Sequence, residues 1–194
     1  MMVRYKKGVD SYMKKIKYAI PEYATALDLK NIRKKLDMTQ KEFANFIGIS
    51  KPTLERWESG KENIKGPVVL LLNMLDNNSD YVKHLIIPDK IYPLRLYYMY
   101  KQKICTIIDV NDIEQKIAIK NYTNHLMFRA FGINENPTYK DYEDFLKSRC
   151  FPETRDKLKL VLEDLGLPFY DPFMIIKKTE GKMAEDDFWI RIEE

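Results

Sequence analysis

Apolar positions recur at helical spacing from Ala26 to Leu75 and at strand spacing from Leu94 to Tyr122. In ALDLKNIRKKLD, Leu29, Ile32 and Leu36 share one face, with Arg33, Lys34 and Lys35 mostly off it. Thr39 followed by Glu42 three residues later predicts a capping box. The helix it opens, QKEFANFIG, buries Phe43, Ala44 and Ile47 and stops at Gly48. Ser50 predicts the cap of the next helix, KPTLERWES, with Pro52 in the first turn, where a missing N–H costs nothing. Gly60 ends that helix. PVVLLLNML is apolar nearly all round, which predicts a fourth helix that is largely buried.

The pattern changes on either side. Residues 1–25 form a basic lead-in, in which Tyr12, Ile16 and Ile20 would share one side of a short helix until Pro21 interrupts it. A helix packed on the next domain or a solvated tail is the expected reading, with a basic arm along DNA as the alternative. NNSD breaks the fourth helix, YVKHLII allows one short turn of helix, and the two prolines of PDKIYP predict a linker at 88–93. Beyond it, LRLYYMY, KICTIIDV and KIAIKNY are rich in β-branched and aromatic residues and predict a three-stranded antiparallel meander. Two helices follow, TYKDYEDFLKSR and PETRDKLKLVLEDLG, the second with Leu158, Val161, Leu162 and Leu165 on one side. DPFMIIKKTEG precedes DDFWIRIEE, which predicts one more strand. The fold class is therefore α+β: an all-α domain at 26–87, the linker, and a small α+β domain at 94–194.

Composition narrows the function. The longest purely apolar run is Val68 to Leu72, far short of the roughly 20 residues that cross a bilayer. The first residues lack the apolar stretch of a signal peptide. Cys105 and Cys150 are the two cysteines, so a disulfide-stapled secreted domain is not expected and a reducing cytoplasm is. The net charge of +4 hides an asymmetry: residues 1–93 hold 17 Lys and Arg against 11 Asp and Glu, and residues 94–194 hold 16 against 18. A basic front half joined to a mildly acidic back half suits a nucleic-acid-binding module joined to a protein-binding one.

Met38 to Pro67 carries the chemistry. Two short capped helices meet at a tight turn around Gly48 and Ile49, with Ala44 small where the second crosses close. Phe43, Ile47, Ile49, Leu54 and Trp57 close the wedge. The second helix then projects Lys51, Pro52, Thr53, Glu55 and Arg56 outward, as a major groove requires.

This segment resembles the XRE (Cro-type) helix-turn-helix family, read T-Q-x-E-F-A-x-x-x-G-I-S-x-x-T-L-x-x-W-E-x-G. Thr39, Gln40, Glu42, Phe43, Ala44, Gly48, Ile49, Ser50, Thr53, Leu54, Trp57, Glu58 and Gly60 all match. The resemblance implies a lambda-repressor-like domain that binds an operator as a homodimer. The following Gly-Pro and leucine-rich helix look like the antitoxin subgroup, whose members repress their own operons. It further implies that Gln40 braces the recognition helix. Ser50, Lys51, Pro52, Thr53 and Arg56 would lie toward DNA, with Arg56 and Lys51 suited to guanine and Pro52 to a thymine methyl. Thr39, Lys41, Lys61 and Asn63 fall where phosphate contacts are expected. Glu55 either accepts from cytosine N4 or pairs with a neighbouring lysine.

The back half shows no catalytic constellation. It has no Gly-rich phosphate loop, no H-E-x-x-H, no G-x-S-x-G and no C-x-x-C. No enzyme activity, cofactor or metal is expected. Cys105, His125 and Cys150 lack zinc-ligand spacing, and both cysteines read as small core residues. The stripe Tyr92, Tyr97, Tyr98 and Tyr100 reads as core and cross-strand packing rather than a base-stacking platform. Glu185, Asp186 and Asp187 read as a solvated turn.

The order of elements here resembles the N-terminal subdomain of HipA-type kinase toxins. Phe151-Pro152 with Arg155, and Asp171-Pro172-Phe173 with Ile176 and Gly181, are the matching elements. KTEGKMAEDDFWI departs from that family's small Gly-Ala finish. The resemblance implies a HipA-like kinase as a separate partner of residues 94–194. The expected protein is a cytoplasmic autorepressing antitoxin. The alternative is a stand-alone phage or mobile-element repressor whose back half only dimerises.

Overall fold

The computed structural model describes residues 19–194, so the expected helix around Tyr12 and Ile16 lies outside the described residues. The chain divides into two compact units between His84 and Leu85.

The described residues of the first unit form helices α1 (Ala26–Lys35), α2 (Gln40–Phe46), α3 (Lys51–Glu58), α4 (Pro67–Asn77) and α5 (Ser79–His84). Three starts are capped by side chains. Thr39 and Glu42 form the expected box on α2, and Ser50 accepts from the Thr53 N–H on α3. A box not foreseen, Thr25 with Asp28, opens α1. Gly48 sits at φ +74 in the turn after α2, where a side chain would be strained, and Ile49 N–H closes that turn on the Ala44 carbonyl at 2.9 Å. The apolar faces meet in one core built on Leu29, Phe43, Ala44 and Leu54, all fully buried, with Ile32, Ile64 and Leu72 around them. Ala24 and Ile64 exchange two backbone hydrogen bonds of 2.9 Å, which pins the entry to α1 against the loop after α3.

Helix α4 corrects an expectation. It buries Val69, Leu72 and Leu75, yet Leu70, Leu71 and Met74 stand exposed. The other described helices of this unit cover only one side of α4, whatever the chemistry of the other side.

The second unit is an antiparallel sheet with helices on one face. Strands β1 (Leu94–Tyr100), β2 (Lys103–Asn111), β3 (Lys116–Asn121) and β4 (Phe188–Glu193) lie in the order β3-β2-β1-β4. The first three form the expected meander. The last closes it by pairing with β1, Tyr98 opposite Ile190. Cys105 is an extra residue in β2, between the partners of Tyr98 and Met99.

Helices α6 (Tyr139–Ser148), α7 (Leu158–Leu165) and α8 (Pro172–Thr179) follow the meander. Leu96, Tyr98, Ile108 and Ile190 share a core with Tyr142, Phe145 and Leu146 of α6 and Ile175 and Ile176 of α8. Tyr98 stacks on Phe188 at 5.0 Å and meets Phe145 edge-on at 5.1 Å. Tyr97 points the other way, into a smaller cluster with Met99 and Ile107. Tyr97, Tyr98 and Tyr100 thus pack on both faces, as strand alternation requires, while Tyr92 precedes β1 and is half-buried outside these clusters. Cys105 and Cys150 are free and buried. Helix α7 is shorter than its periodicity predicts. It begins only at Leu158, because Lys157 adopts φ +58 and residues 153–157 form turns.

Two buried arginines hold this unit, and neither was foreseen. Arg95 on β1 meets Asp109 on β2 at 2.6 and 2.7 Å and donates to the Pro88 and Asp89 carbonyls. Asp109 also accepts from the Ile91 N–H at 2.8 Å. The segment expected as a linker is thereby tied along the sheet. Arg149, at the end of α6, contacts both Asp186 oxygens at 2.7 and 3.0 Å and the carbonyls of Gly181 and Phe188. Asp186 is therefore not part of a merely solvated turn. The Arg149 guanidinium holds its carboxyl below the usual value.

Arg149→Met removes the guanidinium donors from the Gly181 and Phe188 carbonyls and from Asp186, which keeps the Phe188 N–H. It is expected to cost about 3–5 kcal/mol, the range for breaking a buried pair. Urea unfolding followed by Trp189 fluorescence checks this; a change under about 1 kcal/mol would show the network to be dispensable.

Candidate nucleic-acid interface

Helix α3 is two-sided. Leu54 and Glu58 are buried, and Thr53 and Trp57 are half-buried. Lys51, Pro52, Glu55, Arg56 and Ser59 are exposed. At 100° per residue these five fall on one arc of about 140°. Trp57 is thus a partly covered wall of the core rather than its centre, while Phe43 and Leu54 occupy the centre.

The exposed face is set at its start by Ser50, whose hydroxyl lies 2.8 Å from that of Thr53. Thr53 is therefore engaged locally. Lys51 and Glu55 pair along the helix at 3.1 Å, with both side chains about half exposed. That is the second of the two roles open to Glu55. Among the described residues Arg56 forms no ion pair, and its guanidinium makes no hydrogen bond. Its carbonyl accepts from the Ser59 hydroxyl at 2.6 Å. Lys41 in α2 and Lys61 and Asn63 after α3 are all exposed. Thr39 is committed to its cap, its N–H donating to Glu42 at 2.8 Å.

Gln40 is a brace. Its Nε2 donates to Glu58 Oε2 at 2.7 Å. Glu58 also receives Arg33 Nε at 2.7 Å and Nη2 at 3.3 Å, and Arg33 Nη1 reaches the Met38 carbonyl at 3.0 Å. One carboxylate therefore joins α1, α2 and the last turn of α3. Glu58 is only 6% exposed. Burial pushes its carboxyl up, but the bonds from Arg33 and Gln40 outweigh this and leave it below its ordinary value. The motif matches Glu58 without giving it a role, and the helical pattern puts Arg33 off the buried face. The signal was present: Glu58 lies four residues after Leu54, on the buried face, where an acid demands a partner.

Glu58 has a folded-state pKa below its ordinary 4.5. Its contribution to stability is complete above that value and is lost as pH falls through the folded-state value. Glu58→Gln is expected to cost about 1.5–3 kcal/mol at neutral pH. The gap to wild type should then shrink on acidification below about pH 4.5. Thermal melts followed by Trp57 fluorescence in a Trp189→Phe background measure it, and a gap constant down to pH 3 would rule it out.

No helix among the described residues is long and apolar enough to cross a membrane, and no three His, Cys, Asp or Glu among them group to hold a metal ion. No curated protein and no solved structure matches the chain. A family model, described as helix-turn-helix, matches residues 29–73, from within α1 to within α4. That span contains the capped pair α2 and α3, the braced Glu58 and the exposed α3 face, and it is a helix-turn-helix region.

Proposed function

We propose that the chain is a sequence-specific DNA-binding transcription regulator that reads an operator with the exposed face of α3. The observation that carries this is the Arg33–Glu58–Gln40 junction. It fixes the angle of α3 while leaving Lys51, Pro52 and Arg56 exposed in a region that matches the helix-turn-helix family. In this reading Arg56 contacts a guanine, Pro52 a thymine methyl, and Lys51 either a base or a phosphate once released from Glu55. Thr39, Lys41, Ser50, Lys61 and Asn63 lie along the backbone. Thr53 orients the start of α3, and Gln40 positions the helix from behind.

The protein acts as a dimer on a palindrome with half-sites about one helical turn apart. The exposed Leu70, Leu71 and Met74 of α4 supply apolar surface for self-association and support this form. The finer reading is an autorepressing antitoxin whose residues 94–194 bind a HipA-like kinase. Its support is the order of elements: meander, α6 ending before Phe151-Pro152, α8 capped by Asp171, and a closing strand. Arg155 sits in a turn before α7 rather than on a helix.

Fluorescence anisotropy with the duplex upstream of the chain's own reading frame, against a scrambled duplex, tests the proposal. A preference on the order of 10³-fold or more is expected at physiological salt. Arg56→Ala should lose about 1–3 kcal/mol on the upstream duplex and little on the scrambled one. Equal loss on both would reduce Arg56 to a phosphate contact, and equal wild-type affinity would overturn specific recognition.

A further inference from the structure

A cavity of about 340 Å³ opens in the second unit between α6, the start of α8 and the end of β2. Its rim carries three carboxylates, Asp112, Glu143 and Asp171, against one cation, Lys147. Its walls include Tyr139, Tyr142 and Phe173. Such a cavity lies within the size range of small-ligand sites.

Tyr142 points to a ligand. The residue is 2% exposed, and its side chain makes no hydrogen bond among the described residues. Yet among the described residues no fully buried side-chain nitrogen or oxygen lacks a partner. The Tyr142 hydroxyl therefore keeps some surface of its own, and the residue lines the cavity. Burial first, then the charges of Asp112 and Asp171, raise the Tyr142 phenol well above its usual range. The hydroxyl stays protonated, and among the described residues no hydrogen bond joins it to either carboxylate, so its oxygen is free to accept a donor.

The carboxylates themselves are engaged only in part. Asp112 accepts from the Tyr139 hydroxyl at 3.1 Å, Asp171 caps α8 through the Met174 N–H at 2.8 Å, and Glu143 lies 3.5 Å from Lys140. Each keeps a further acceptor site. They do not group closely enough to hold a metal ion. Negative charge spread around an aromatic-walled cavity suits a delocalised cation with several donors and an apolar stem.

We propose that this cavity is a binding site for an alkylguanidinium group, with the guanidinium between Asp112 and Asp171 and its stem against the aromatic walls. The Tyr142 hydroxyl accepts one of its N–H donors. The group is supplied either by a free small molecule or by an arginine side chain, and these share the same chemistry.

Isothermal titration of the full chain, without DNA, tests this independently of operator binding. Agmatine and a blocked tripeptide with central arginine are the probes; the uncharged isostere of agmatine and a blocked peptide with central citrulline are the controls. Saturable binding of either cationic probe supports the site, and the tighter of the two names its source. Asp112→Asn should weaken binding about tenfold or more, as loss of a charge-assisted bond does. Tyr142→Phe should weaken it severalfold with the fold intact by circular dichroism. No binding of either probe at millimolar concentration, binding equal to the controls, or affinity unchanged in Asp112→Asn would overturn the proposal.

Discussion

One buried carboxylate sets how α3 is held in the first unit. Glu58 closes the last turn of α3, and Arg33 and Gln40 reach it from α1 and α2. An apolar core alone leaves short helices free to rotate, because dispersion and burial are non-directional. Hydrogen bonds to a fixed acceptor are directional, and these converge on the end of α3 opposite its Ser50 cap. The α3 orientation is thereby held at both ends. Burying such a carboxylate is unfavourable unless its partners are present, so the junction also penalises other packings of the same helices.

The second unit uses the same device twice. Its sheet is short and covered by helices on one face, and each buried arginine fastens a segment that has no regular structure of its own. Arg95 and Asp109 tie residues 88–91 along β1 and β2. Arg149 gathers the stretch between α8 and β4 through Gly181, Asp186 and Phe188. A planar guanidinium with five donors suits this, since it can satisfy several carbonyls that a loop leaves unpaired. The cavity under α6 sits in the same unit with its carboxylates only partly engaged, in contrast to the fully partnered Asp109 and Asp186.

Much of this was legible from local rules. The Thr39-Glu42 box, the Ser50 cap, the Gly48 turn and the β1–β3 meander follow from spacing within a few residues, and they stand where that spacing places them. The exposed α3 face was legible too, because 3.6-residue periodicity separates Lys51, Glu55 and Arg56 from Leu54. The errors share one cause. Composition marked α4 as buried, yet only tertiary neighbours can cover a side, and they leave Leu70, Leu71 and Met74 in the open. The sequence Glu185-Asp186-Asp187 looks solvated until Arg149, 37 residues earlier in the chain, is brought onto Asp186.

By itself, then, the sequence determined most of the elements, the caps of α2 and α3 and the helix-turn-helix region. Each depends on interactions between residues no more than a few positions apart. The tertiary structure alone decided which charges are structural: Arg33 with Glu58, Arg95 with Asp109, Arg149 with Asp186. It also decided that Tyr142 of α6, buried like the tyrosines of β1, lines a cavity as well. A charged side chain has the same identity in water and in a core. What it does depends on burial and on partners distant in sequence, and those exist only once the chain has folded.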